Sequence, residues 1–218
     1  MSIRLYSYWR SSAAYRVRIA LNLKGIPFET VAVSLAPGVS EHRQDEYRAI
    51  NPQMLVPFLQ DGDIGIAQSM AILEYLEETY TETPLLPSDE PLRSRVRAFC
   101  NLIACDIHPL NNLRVQKYIS NELGADQEAS HEWYVHWIHE GFTAAEQLVG
   151  SGTYVVGDAP TLADTLLVPQ MYNARRFSVP LDDFPQLVRN VDACNEVAAF
   201  TKAAPEPQPD AARNSTAL

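Results

Sequence analysis

The sequence predicts two regions of different class: a small α/β sandwich over residues 1–82, then an all-helical region over residues 92–204. Three observations carry this. Strand-like and helix-like segments alternate only as far as the first boundary. Residues 83–91, with Pro84, Pro87 and Pro91, read as a linker. Beyond them, apolar residues recur at helical spacing alone. A chain of 218 residues is long enough to bury a core in each region.

The first region can be followed element by element. Residues 3–8 read as a strand. Residues 11–24 read as a helix, with Val17, Ala20, Leu21 and Lys24 on one face and Gly25 as its stop. Val31, Val33 and Leu35 alternate as a second strand. Residues 41–50 suit a short helix ending before Asn51-Pro52. Two strands then flank Asp61-Gly62, a pair that favours a tight hairpin. Residues 70–80 form a helix with Ile72, Leu73, Leu76 and Tyr80 buried and Ser69 as N-cap. The order is β-α-β-α-β-β-α.

Past the linker, helices are expected over 92–118, 128–149, 162–177 and 184–200. Pro109 should kink or break the first of these. Thr161-Leu162-Ala163-Asp164 has the spacing of a capping box, with Asp in place of the usual Glu. Residues 205–218 are rich in Pro, Ala and polar side chains and read as a mobile tail.

Composition removes several function classes. The formal net charge of −10 repels nucleic acid and anionic membranes. It also repels anionic substrates, so an anion site needs its own cluster of cations. The first residues lack the apolar run of a signal peptide, and no apolar stretch is long enough to span a bilayer. Cys100, Cys105 and Cys194 are odd in number and form no C-x-x-C, which suits reduced thiols in a cytoplasmic protein. No metal site is expected from them.

Three places invite chemistry. Ser11-Ser12 opens the first helix, where hydroxyls either cap the helix or hold an anion or thiolate at its positive end. Val56-Pro57 heads the third strand, where proline lacks an N–H. A cis bond there would leave the Val56 backbone available to an extended peptide. Gln68-Ser69 precedes another helix that can either be capped or bind a carboxylate.

The order of these signals resembles the glutathione transferase superfamily, and its zeta class in particular, the maleylacetoacetate and maleylpyruvate isomerases. The resemblance is carried by Leu5-Tyr6-Ser7-Tyr8-Trp9-Arg10-Ser11-Ser12, Arg16-Val17-Arg18-Ile19-Ala20-Leu21, Asn51-Pro52, Val56-Pro57 and Gln68-Ser69-Met70-Ala71-Ile72. It continues through Asp106-Ile107-His108-Pro109-Leu110-Asn111-Asn112, Gly157-Asp158-Ala159-Pro160-Thr161-Leu162-Ala163-Asp164, Leu167-Val168-Pro169-Gln170, Ala174-Arg175-Arg176-Phe177 and Gln208-Pro209-Asp210. It implies a thioredoxin-like first domain, an all-α second domain, a homodimer and glutathione as cofactor.

The resemblance also implies roles. Ser11 and Ser12 would face the glutathione sulfur as the catalytic pair. Val56 would pair its backbone with the cysteinyl unit. Gln68 and Ser69 would hold the γ-glutamyl end, with His42, His108 and Asn112 near the glycyl end. Arg10, Arg114 and Arg176 would gather around a substrate dianion, and Arg175 could be the surface member of its pair. The implied reaction, in aromatic catabolism, is cis–trans isomerisation of a maleyl diacid by reversible addition of glutathione thiolate to its double bond. Ala13 stands where many zeta members carry cysteine, so no protein thiol acts at that point. Two other readings use the same fold: a glutathione-conjugating transferase with an apolar acceptor site, and a non-catalytic binding module.

Overall fold

The computed structural model describes residues 3–214. The last four residues of the expected tail, 215–218, lie outside the described residues. The chain forms two compact units, one of residues up to Pro84 joined by those from Glu196 onward, the other of Leu85–Asn195. The linker region therefore divides at 84/85, and the C-terminal segment belongs to the first unit.

The first unit is built on a four-stranded sheet of order β2-β1-β3-β4. Its strands are β1 (Ile3–Ser7), β2 (Phe28–Ala32), β3 (Phe58–Asp61) and β4 (Ile64–Ala67). β1 runs parallel to β2 and antiparallel to β3, and Asp61 faces Ile64 across a two-residue turn whose Gly62 has φ 58°. That turn is the hairpin that Asp61-Gly62 foretold. The helices are α1 (Ser12–Leu23), α2 (Asp45–Ile50) and α3 (Ser69–Thr79). α1 packs on α3 and, across most of the chain length, on α10 (Ala198–Ala203).

The second strand lies earlier than the alternation of Val31, Val33 and Leu35 suggested. The register pairs Ile3 with Phe28 and Ser7 with Ala32, so the five residues of β1 use up the ladder. Val33 still donates its N–H to Ser7 O at 2.8 Å, then turns into an apolar cluster with Tyr6, Tyr8, Trp9, Tyr47 and Val56. The expected helix over 41–50 also divides. A 3₁₀ turn at Glu41–Arg43 ends at an extended Gln44, and the Glu41 carboxylate accepts from Ser34 N–H at 2.6 Å. Lys24, placed on the buried face of α1, reaches Glu77 at 2.7 Å and the carbonyls of Tyr80 and Thr83 at 2.9 Å.

In the second unit, the helix expected over 92–118 becomes four pieces. α4 (Glu90–Asn101) passes into a π-helical stretch, Leu102–Ile107, then α5 (His108–Asn111) and α6 (Leu113–Asn121). Pro109 has no N–H to give a carbonyl one turn back, and the wider i→i+5 pattern lies directly before it. Gly141 of α7 (Gln127–Leu148) packs against this stretch, where a Cβ would lie 2.2 Å from Ile107 Cγ1. Asn112 is extended and starts α6 afresh. α8 (Leu162–Arg176) is buried along most of its length, and α9 (Pro185–Asn195) completes the unit. The helix expected over 184–200 thus breaks after Asn195, and its second half packs in the first unit as α10.

Residues 205–212, assigned by composition to a mobile tail, fold back onto the first unit through a few buried residues. Asp210 and Ala211 are buried, and the chain ends its described course in α11 (Ala211–Asn214). Specific polar anchors achieve what composition did not suggest, as shown below. Among the described residues no helix is long and apolar enough to cross a membrane.

The capping box of α8 is present, with Asp instead of Glu at its third position. Asp164 is fully buried and accepts from Val155 N–H at 2.9 Å, Thr161 N–H at 2.8 Å and Thr161 Oγ1 at 3.0 Å. Removing a buried acceptor strands its donors, which is worth about 1–3 kcal/mol each. Asp164→Ala is therefore expected to lower the unfolding free energy by about 3 kcal/mol in urea titrations. Asp164→Asn, which keeps one acceptor, should lose less.

Candidate active site

β1 ends at Ser7, and four residues later the chain is helical. Ser11 N–H closes the turn on Tyr8 O at 2.9 Å. Ser11 is the N-cap of α1, its Oγ accepting from Ala14 N–H at 3.3 Å. Capping uses a lone pair of the hydroxyl, so its hydrogen remains able to donate outward. Ser12 is the first helical residue and is buried, whereas Ser11 is half-buried. The pair is thus unequal, with Ser11 the better placed to meet a ligand. No acidic side chain lies in the first turn of α1, so the positive helix end is not neutralised from within.

Two arginines behind this turn had no assigned role. Arg16 and Arg18 are among the largest fully buried side chains of the protein. Arg16 Nη1 donates to Ser69 Oγ at 3.2 Å, linking α1 to the start of α3. Arg18 donates to Ser7 Oγ and Trp9 O at 3.0 Å and to Ala203 O at 2.9 Å. Burial pulls the Arg18 pKa down to about 10, with Tyr15 and Asp210 acting in the opposite sense, so it stays charged at neutral pH. A signal was present in the sequence: both arginines sit inside the apolar run of Tyr15, Val17, Ile19, Ala20 and Leu21. A charge so surrounded needs a buried partner.

The Val56-Pro57 bond is cis, as its place before the third strand suggested. The loop leading to it is fixed by Asn51, also unassigned from the sequence. Asn51 Nδ2 donates to Leu55 O at 2.8 Å, and its Oδ1 accepts from Gln53 N–H at 3.1 Å. Tyr47 O–H donates to the same Leu55 carbonyl at 2.7 Å. Burial raises the Tyr47 pKa to about 12, which keeps this donor protonated.

Gln68 sits at the N-cap of α3 with φ 71°, a region costly for any residue but glycine. Its Nε2 donates to Gln53 Oε1 at 2.9 Å, and it is exposed. Ser69 was expected to be the cap but is the first helical residue, because its hydroxyl is turned inward to Arg16. The first turn of α3, like that of α1, has no acidic side chain. His42 lies in the 3₁₀ turn with Nδ1 3.3 Å from Ser34 O.

The remaining candidates belong to the second unit. His108 opens α5 directly after the π-helical stretch. Asn112 caps α6, accepting from Arg114 N–H at 3.1 Å and Val115 N–H at 3.2 Å while donating to Pro109 O at 3.0 Å. Its amide is thus largely engaged in shaping the chain. Arg114 and Arg176 are both exposed. Arg176 lies 4.8 Å over the Phe177 ring, which stacks at 3.9 Å on Tyr134. Arg175 pairs with Asp192 at 3.2 Å. Arg10 belongs to the first unit and lies over the Trp9 indole at 4.9 Å. An open depression of about 440 Å³ on α7 holds none of these residues, and His136 and His139 beside it already face Glu140 and Asp183. Among the described residues no cluster of His, Cys, Asp and Glu could hold a metal ion.

Comparison with known proteins places this geometry. Residues 5–84 match the glutathione S-transferase N-terminal domain. The chain is 50% identical over 215 residues to the maleylpyruvate isomerase of a Ralstonia species, covering 96% of this chain and all of that one. A holo structure of a maleylpyruvate isomerase, a bacterial zeta-class glutathione transferase, superposes with a TM-score of 0.92 at 48% identity, over 95% of this chain and 99% of that one. The maleylacetoacetate isomerase of Anaeromyxobacter dehalogenans, solved with dicarboxyethyl glutathione and citrate in its active site, gives a TM-score of 0.85 at 42% identity. The match covers 96% of this chain and 94% of that one.

The Asn51 knot yields a stability prediction. Asn51→Ala is expected to cost about 2 kcal/mol in urea unfolding, because a buried side chain is lost, Gln53 N–H loses its partner and Leu55 O keeps only Tyr47. Gln53→Ala, at an exposed side chain, should stay within about 0.5 kcal/mol of the parent.

Proposed function

This chain belongs to the zeta-class glutathione transferases, the maleylacetoacetate and maleylpyruvate isomerases, and we propose that its two acid-free helix starts and the Val56 backbone form the cradle for glutathione. The protein is a glutathione-dependent isomerase of a maleyl diacid. The observation that carries the reading of its residues is the start of α1. There a half-buried serine caps a helix whose first turn carries no acidic side chain.

Glutathione is an anionic, extended tripeptide with one thiol, and the donor set suits each part of it. Val56 offers backbone to the cysteinyl unit from a loop that Asn51 and Tyr47 hold still. Gln68 and Ser69 take the γ-glutamyl carboxylate at the start of α3. His42, His108 and Asn112 serve the glycyl end. Ser11, supported by Ser12, donates to the sulfur, and the helix end lowers the thiol pKa from its ordinary value of about 8.5. Bound there, glutathione supplies a thiolate that adds reversibly to the cis double bond and frees rotation about it.

Arg10, Arg114 and Arg176 take the carboxylates of the diacid and balance charge that develops on its carbonyl oxygen. A protein of net charge −10 needs such local cations to admit a dianion. An acceptor site for neutral electrophiles needs none, and this separates the isomerase from a conjugating transferase. The enzyme acts in the cytoplasm, where its free cysteines stay reduced, and as a homodimer, an assembly implied by its superfamily.

The test is turnover of maleylpyruvate and maleylacetone with and without glutathione. Activity should be absent without it. Ser11→Ala should lower kcat by at least about tenfold and Ser12→Ala by less. Arg176→Ala should lower kcat/KM for the diacid by about ten- to a hundredfold while sparing chlorodinitrobenzene. The loss should fall on KM if the arginine only holds a carboxylate, and on kcat if it acts in the transition state. Diacid turnover that survives Arg10→Ala, Arg114→Ala and Arg176→Ala alike would favour a conjugating transferase.

A further inference from the structure

The turn that presents Ser11 is held from behind by two buried charges. Trp9 N–H donates to Asp210 Oδ2 at 2.9 Å, across 201 positions of sequence. Trp9 O accepts from Arg18 Nη2 at 3.0 Å, and Tyr8 O lies 3.5 Å from Arg18 Nη1. The same Tyr8 carbonyl receives Ser11 N–H. The Trp9 residue is thus gripped at its N–H by an anion and at its C=O by a cation.

Both charges are anchored. Arg18 also donates to Ala203 O, at the end of α10. From there the chain folds back through a compact turn, with Gln208 N–H on Pro205 O at 3.1 Å and Ala211 N–H on Gln208 O at 3.0 Å. Gln208 Nε2 ties this turn to Lys202 O at 3.0 Å and Ala204 O at 2.8 Å. Asp210 is 5% exposed, and Arg18 1%. Charges this deep are retained only where opposite charge and hydrogen bonds offset their desolvation.

We propose that Asp210, reaching back from the C-terminal segment, is a positioning residue for the reaction: through Trp9 N–H, and with Arg18, it sets the turn that aims the Ser11 hydroxyl and the start of α1 at the glutathione sulfur. This rests on the reading of Ser11 given above. Position and charge here act in opposite directions, which makes the role separable. A carboxylate by itself disfavours a nearby thiolate, so removing its charge alone should lower the thiol pKa. Removing the hydrogen bond should misplace the donors and raise it.

The experiment compares Asp210→Ala, which loses both, with Asp210→Asn, which keeps an acceptor for Trp9 N–H. Four quantities are measured on the full chain. They are the pH titration of thiolate absorbance in bound glutathione, affinity for S-methylglutathione, amide hydrogen exchange over residues 8–12 without ligand, and thermal unfolding. Asp210→Ala is expected to raise the thiolate midpoint by about half a pH unit or more and to lower kcat about tenfold. Exchange over residues 8–12 should quicken, while S-methylglutathione affinity stays within about threefold. Asp210→Asn should hold the midpoint at or below that of the parent.

A folded Asp210→Ala whose midpoint is unchanged or lower overturns the proposal, since a structural or purely electrostatic role predicts that result. If Asp210→Ala does not fold, Gln208→Ala loosens the same turn from outside and must move the midpoint upward. No movement there overturns the proposal equally. A parent protein whose bound thiol titrates like free glutathione removes the reading of Ser11 and the proposal with it. A lowered parent midpoint that Asp210→Ala leaves untouched removes the proposal alone.

Discussion

A buried guanidinium holds the first unit together. The turn between β1 and α1 must leave a sheet and enter a helix within a few residues, and its peptide groups cannot all find partners in either. Buried peptide groups left unpaired are costly. Arg18 meets that need with a rigid fork of donors that reaches the strand end, the turn and the returning C-terminal chain at once. Its position on α1 is fixed by packing against α3 and α10. The end of β1, the first helix and the end of α10 are therefore joined by one side chain.

The same economy governs the anion cradle. The protein is strongly acidic overall, so attraction for a negatively charged tripeptide must be local. In the proposed cradle, helix ends supply it without adding mobile charge. α1 and α3 both begin without acidic side chains, and Arg16 lies buried between them with a hydrogen bond to Ser69. Gln68 is held at positive φ at the same place, a local strain of about 1–3 kcal/mol that the surrounding contacts sustain.

In the second unit, geometry follows from one missing N–H. Pro109 cannot continue the ladder of α4, and the helix widens into a π-helical stretch before it. The chain then restarts at Asn112, whose side chain bonds on both sides of the break. Trp133 of α7 donates to Leu110 O at 2.8 Å and fixes the short α5 in place. His108 is thus displayed at a defined irregularity, not on a uniform helix face.

The sequence by itself determined the order of elements, the hairpin at Asp61-Gly62, the capping box at Thr161–Asp164, the break near Pro109 and the serine-led start of α1. These signals are local: each depends on turn chemistry, caps or periodicity within a few residues. Its motif order also identified the family, because such an order is specific even where each motif is weak. Tertiary structure alone decided the rest. The ladder of β1 set where β2 begins, against the alternation of Val31, Val33 and Leu35. A hydroxyl turned inward to Arg16 moved Ser69 from cap to first helical residue. Asp210 drew a tail of unpromising composition into the first unit. In each case the deciding partner lies far along the chain, and no local pattern reports a hydrogen bond whose other half is elsewhere.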